Sequence, residues 1–196
     1  MPTWEAVMPR FALVILASLV AGPALAFDPC DDLWFSRNQL YDRAGYCFSS
    51  PLGKAVFDNA DCTGTEVSLE PGGDELVTYV QGMEDLFACA VDTSATSLDI
   101  ANIPLRLRLE TVVALSEFAS GCLGWTGEAI PLRAGPREAA EVISVAMPGD
   151  DLVWEYEGIG WPEGWTFLTI YRDETQVALG FTRSTIDYDL CTGTAG

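Results

Sequence analysis

Six cysteines, Cys30, Cys47, Cys62, Cys89, Cys122 and Cys191, constrain this chain more than any other feature. They follow an N-terminal segment that reads as an export signal. Phe11 to Val20 is an apolar run, Gly22-Pro23 breaks it, and Ala24-Leu25-Ala26 puts small residues where signal peptidase reads. The expected signal peptide is therefore residues 1–26, with cleavage after Ala26. The apolar run is too short to span a bilayer, and no later run is long enough, so no membrane span is expected in the mature chain. The expected location is periplasmic or secreted. In an oxidising compartment an even number of cysteines reads as disulfides, three here. Pairing of sequence neighbours is the expectation: Cys30–Cys47, Cys62–Cys89 and Cys122–Cys191. No CxxC pair is present, which argues against zinc.

The chain has no histidine and a single lysine, Lys54. Serine and cysteine triads that depend on histidine are thereby excluded, as are histidine-ligated metal sites. No glycine-rich phosphate loop precedes a helix. The net charge of −19 repels nucleic acid and anionic lipid. It favours solubility, or attraction to a basic partner. No cofactor, no metal and no enzymatic activity are expected.

Four regions follow from patterning. Residues 27–66 form a small helical module. Asp28-Pro29-Cys30-Asp31-Asp32 supplies a cap and first-turn acids, apolar positions then recur at helical spacing, and Gly45 is a natural stop. Ser50-Pro51 starts a second short helix that runs through Phe57. Residues 67–120 read as mainly β: Leu105, Leu107 and Leu109 alternate with Arg106, Arg108 and Glu110 as in a half-buried strand. Residues 121–196 read as a compact all-β module. Its strand-like runs are Glu128–Arg133, Glu141–Ala146, Leu152–Tyr156, Trp165–Tyr171 and Val177–Arg183, set between Gly, Pro and Asp turns. The expected fold class is α+β, stapled by disulfides.

Two resemblances sharpen this. The stretch Ser36-Arg37-Asn38-Gln39-Leu40-Tyr41-Asp42-Arg43-Ala44-Gly45-Tyr46-Cys47-Phe48, with Leu52 and Phe57 after it, resembles the YARHG extracytoplasmic modules over about residues 30–60. It departs at the eponymous histidine, which is Ala44 here, so a role resting on that histidine is lost. Ile130-Pro131-Leu132-Arg133-Ala134-Gly135-Pro136, with Val142-Ile143, Gly149 to Val153, Gly164-Trp165 and Gly180-Phe181, resembles bacterial SH3-like barrels over about residues 121–191. Phe181 stands where those domains usually carry tryptophan. The opening Cys30-Asp31-Asp32-Leu33-Trp34-Phe35, continued in this way, is also similar to an alphaproteobacterial family of unknown function. Together the resemblances imply an envelope context; many relatives of the SH3-like part bind cell-wall peptide or glycan, and others only join domains.

Among the crowded aromatics, Trp161 lies in a Pro/Gly loop where a core role is hard to arrange. Trp161 and Trp165, with Tyr156 and Arg133, are the candidate ligand-binding side chains. Arg37, Asn38, Tyr41 and Arg43 sit close on one helix, and Arg37 and Asn38 are expected to fix the second helix through its carbonyls. Asp58, Asn59, Asp61 and Glu66 lack EF-hand spacing and read as caps and turns. Asp31-Asp32 and Asp150-Asp151 read the same way. The expected function is non-catalytic recognition at the cell envelope, with peptidoglycan or its peptides as ligand. The rivals are capture of a basic protein partner and a hydrolase working through carboxylates alone.

Overall fold

The computed structural model describes residues 29–196. The expected signal peptide and the cap at Asp28 lie outside the described residues. Four helices come first: α1 (Cys30–Arg43), α2 (Pro51–Val56), α3 (Gly73–Leu86) and α4 (Ile103–Leu107). Seven strands follow: β1 (Ala114–Trp125), β2 (Ile130–Arg133), β3 (Val142–Ala146), β4 (Asp151–Glu157), β5 (Thr166–Arg172), β6 (Thr175–Thr182) and β7 (Cys191–Ala195). Helices lead and strands follow, which is the α+β arrangement read from the sequence.

The helical part begins as its local chemistry dictates. Asp31 and Asp32 occupy the first turn of α1, and Ser50 caps α2 by accepting from the Gly53 N–H, with Pro51 in the first turn. Phe35, Phe48 and Phe57 stack at centroid distances of 5.5 and 5.0 Å. Gly53 permits this: a Cβ there would lie 2.7 Å from the Phe48 ring. The Asn59 side chain brackets Phe48, accepting from its N–H and donating to its carbonyl. The expected anchor was different. Arg37 reaches Glu84 on α3 at 3.0 Å and Asn38 donates to Trp34 in its own helix, so neither fixes α2.

The middle region departs from the β expectation. Residues 73–86 are helical, because Leu76, Val77, Val80 and Met83 repeat at 3.6-residue spacing and bury together. The alternation at Leu105, Leu107 and Leu109 belongs to the short helix α4 and its exit. Pro104 sits in the first turn of α4, and it is Arg106 that turns inward at 1 % exposure while Leu107 is 41 % exposed.

The strands form one sheet in the order β3-β2-β6-β5-β4-β1-β7, and every pairing is antiparallel. β3 and β7 remain as edges, so the sheet is not closed into the barrel expected from the sequence. β2 meets β6 through a single pair, Arg133 with Phe181. Next to it Gly180 has φ 148°, and a Cβ there would lie 2.9 Å from the Arg133 carbonyl, so the crossing needs glycine.

The disulfides are Cys30–Cys89, Cys47–Cys62 and Cys122–Cys191. The third is the expected pairing. The first two are exchanged, because α1 packs lengthwise on α3 and carries Cys30 to Cys89. Cys47 is left beside Cys62 across the Tyr46–Gly64 bridge.

Candidate functional site

The helical part and the sheet meet in a buried polar network. Asp32, Ser36 and Gln39 recur at i, i+4 and i+7, so they share one face of α1, and all three are buried. α4 directs Arg106 at that face. Its guanidinium donates to Asp32 Oδ2 at 2.5 Å and to Ser36 Oγ at 2.8 Å. It lies between the Phe35 and Tyr156 rings, 4.6 and 4.9 Å from their centroids. β4 contributes Tyr156, whose hydroxyl donates to Asp32 Oδ2 at 2.6 Å. Gln39 donates to the Arg106 carbonyl. Burial opposes the Arg106 charge, but Asp32 and Tyr156 outweigh it and hold its pKa above the ordinary arginine value. Burial pushes the Tyr156 hydroxyl well above the usual tyrosine range.

A cleft of about 340 Å³ opens beside this network. Its walls come from Asp32 on α1, Asp99 to Ala101 before α4, Glu155 and Tyr156 on β4, and Tyr171 with Glu174, Thr175 and Gln176 around the β5–β6 turn. A second cleft of about 300 Å³ shares Glu155 and Tyr171 and is otherwise lined by residues such as Pro29, Phe87 and Leu115. β1 is the reason for it. Leu115 pairs with Tyr156 and Ser120 with Trp154, so four residues of β1 stand against Glu155 alone and bulge away. Glu155 therefore sits where two openings meet. Burial raises its pKa above the ordinary 4.5, against a hydrogen bond from the Tyr171 hydroxyl at 2.9 Å. The same pair raises the Tyr171 hydroxyl above its usual range, with burial as the larger cause.

The residues singled out from the sequence lie largely in packing. Tyr156 belongs to the buried network. Trp161 sets its ring edge-on to Phe181 at 5.0 Å and lies 6.5 Å from Phe167. Its indole N–H is buried with no hydrogen-bond partner. Trp165 lies under the Arg183 guanidinium at 6.0 Å. Arg133 donates to the Ala140 carbonyl and lies 3.9 Å from Glu138, holding its turn. Tyr156, Trp161 and Trp165 do converge on one cluster, which also contains Leu179 and Phe181. Of the acids read as caps and turns, Asp58 accepts from the Ala60 N–H and Asp150 from the Met147 N–H, while Asp32 is drawn into the buried network and Asp151 accepts from the Gly124 N–H across the sheet. Asp150 is also the partner of Arg172.

Arg106, Asp32 and Glu155 escaped the sequence reading. The available signal was the polar stripe of Asp32, Ser36 and Gln39 beside Leu33, Trp34 and Phe35. A helix that buries polar groups at i, i+4 and i+7 needs a polar partner from elsewhere.

The fold is that of a disulfide-stapled α+β protein, and its three disulfides together with a YARHG module point to an extracytoplasmic protein. The YARHG domain model matches residues 12–85. The domain of unknown function DUF4453 matches residues 88–196, more than half of the chain, and the chain belongs to that family. No curated protein and no solved structure matches the chain. The two matched regions meet at the end of α3. Asp32, Ser36 and Gln39 thus come from the YARHG side and Arg106 and Tyr156 from the DUF4453 side. Among the described residues no helix is long and apolar enough to cross a membrane.

Proposed function

We propose that the protein is a non-catalytic recognition protein of the cell envelope, periplasmic or secreted, and that it binds peptidoglycan or its peptides. The observation that best supports this reading is the cleft at the joint, with both parts of the chain lending it walls and Glu155 held at its inner end. A half-buried carboxylate whose charge is disfavoured costs stability, and a fold that keeps one beside an opening gains from a ligand that meets it. Trp161 and Trp165 take a supporting part, through the packing that holds the β4–β5 face. The SH3-like resemblance of residues 121–191 fits the same role.

The test is co-sedimentation of the oxidised mature protein with purified peptidoglycan at low and high salt. Retention at both salts supports wall binding. Absence from the pellet at both refutes it. A second reading, capture of a basic protein partner, is favoured by the net charge of −19. Attraction of that kind falls steeply with salt, because exposed charges are screened beyond about 10 Å at 0.1 M ionic strength.

A further inference from the structure

The cleft at the joint offers more acceptors than donors, the Gln176 amide being its one side-chain donor not engaged within the protein. Asp32, Asp99, Glu155 and Glu174 all line it. Its hydroxyl donors are already engaged: Tyr156 gives its proton to Asp32, Tyr171 to Glu155, and Thr175 to the Asp173 carbonyl. Asp32 is only 5 % exposed, and its Oδ1 has no hydrogen-bond partner within the protein. Arg106 serves Oδ2 and leaves Oδ1 untouched. A buried carboxylate oxygen without a protein donor is costly. Such an inventory selects a ligand that brings donors and positive charge.

The spacing of the acids narrows the choice further. Among the described residues, no group of three or more acids or cysteines is placed to hold a metal ion. The carboxylates do not converge on one point. They line a passage with exposed Asp99 and Glu174 outside and Asp32 and Glu155 within. A cation on a flexible stem fits that arrangement. Its apolar stem would run past Ile100 and Ala101 and its charge would end at the inner acids.

We propose that this cleft takes a primary ammonium group at the end of a peptide side chain. The proposal rests on reading the joint cleft as the ligand site, and it names what that site recognises. The amine supplies three N–H donors, and the cleft supplies carboxylate oxygens with lone pairs left over, Asp32 Oδ1 among them.

The experiment is calorimetric titration of the oxidised mature protein with end-blocked Ala-Lys-Ala and with its Nε-acetyl form. The lysyl peptide is expected to bind at least tenfold more tightly than the acetylated one. Glu155→Gln should weaken it by at least tenfold, and Asp99→Asn with Glu174→Gln by a few-fold. Glu128→Gln, exposed on the β1–β2 turn, should leave affinity unchanged. The Asp99 and Glu174 variants keep the test open should Glu155→Gln not fold. Equal affinity for the two peptides overturns the proposal. So does a loss with Glu128→Gln equal to that with the cleft variants, which would mean diffuse attraction to the net charge. Peptidoglycan with its free amines acetylated separates the two readings. If it is retained as well as the native wall, wall binding stands and the ammonium site falls. If the lysyl peptide binds but the wall is not retained, the ammonium site stands and wall binding falls.

Discussion

Replacing Arg106 by methionine keeps the length of the side chain and removes its charge from the joint. Asp32 Oδ2 would then keep only the Tyr156 hydroxyl, and Ser36 Oγ would lose its donor. Gln39 would retain its bond to the residue 106 carbonyl, so α4 itself has no reason to unwind. What remains is a buried carboxylate without its counter-charge. Breaking one side of such a pair costs about 3–5 kcal/mol. For a chain of this size each kcal/mol moves Tm by about 2–4 °C, so a fall of about 6–20 °C is expected. Thermal unfolding followed by circular dichroism measures it, with near-UV and far-UV signals compared. The network spans both matched regions of the chain, so the two signals should move together in one transition. Adding Asp32→Leu to Arg106→Met removes both charges. The double variant should recover most of the loss, because apolar replacement of a whole buried pair is often neutral. A single variant within about 1 kcal/mol of wild type would refute the reasoning, since that is the size of an exposed ion pair. So would separate melting of helices and sheet.

The remaining expectations concern acidity, cross-links and packing. Glu155 has its pKa raised by burial, so the stability it lends is fully present below its ordinary value of 4.5 and is lost as pH rises through the folded value. Glu155→Gln should therefore raise Tm at pH 7 and flatten the dependence of Tm on pH above 4.5, which a pH series of melts would check. Replacing both Cys47 and Cys62 by alanine opens a loop of sequence separation 15 and should cost about 3 kcal/mol in denaturant unfolding. Peptide mapping under non-reducing conditions should recover Cys30 with Cys89, and a Cys30–Cys47 peptide would contradict the packing of α1 on α3. Trp161→Ala removes a ring set edge-on to Phe181 and should destabilise by about 2 kcal/mol or more. Trp165→Ala loses part of the packing against the Leu179 and Phe181 cluster together with the Arg183 contact and should cost about 2 kcal/mol, read from the same urea curves.

The sequence made some of this legible, and physical reasons separate what it revealed from what it hid. α1 and α2 were readable because Asp31-Asp32, Ser50-Pro51 and Gly45 punctuate them locally. β2 to β6 were readable because apolar runs lie between Gly, Pro and Asp turns. β7 was not, because Cys191-Thr-Gly-Thr-Ala195 has no apolar alternation. It is held by pairing with β1 and by the Cys122–Cys191 bridge. β1 was obscured by its own bulge, whose residues Ser116 to Ala119 follow no strand pattern. α4 misled for a stronger reason: its buried residue is the arginine and Leu107 is half exposed, the reverse of what binary patterning assumes. The site was hidden by the same inversion. A buried Arg106 is intelligible only once Asp32, Ser36, Phe35 and Tyr156 surround it, and those residues are up to 124 positions apart.

That inversion also explains why stability and binding should be linked in this fold. Asp32 serves the joint through Oδ2 and lines the cleft, and Glu155 and Tyr156 are neighbours on β4 with one side chain assigned to each task. A purely apolar joint would hold the two parts together at least as well, since buried ion pairs seldom outperform it. What the polar joint adds is an acid-lined opening fixed in place by the residues that hold helices and sheet together. A ligand that supplies donors there binds only the folded chain, and at a hundred times its Kd it would stabilise by about 2.7 kcal/mol. For a chain of this size that is a rise in Tm of about 5–11 °C, large enough to read directly in a melt. A cationic peptide that binds with the proposed affinity pattern but leaves Tm unchanged would therefore be binding elsewhere on the acidic surface.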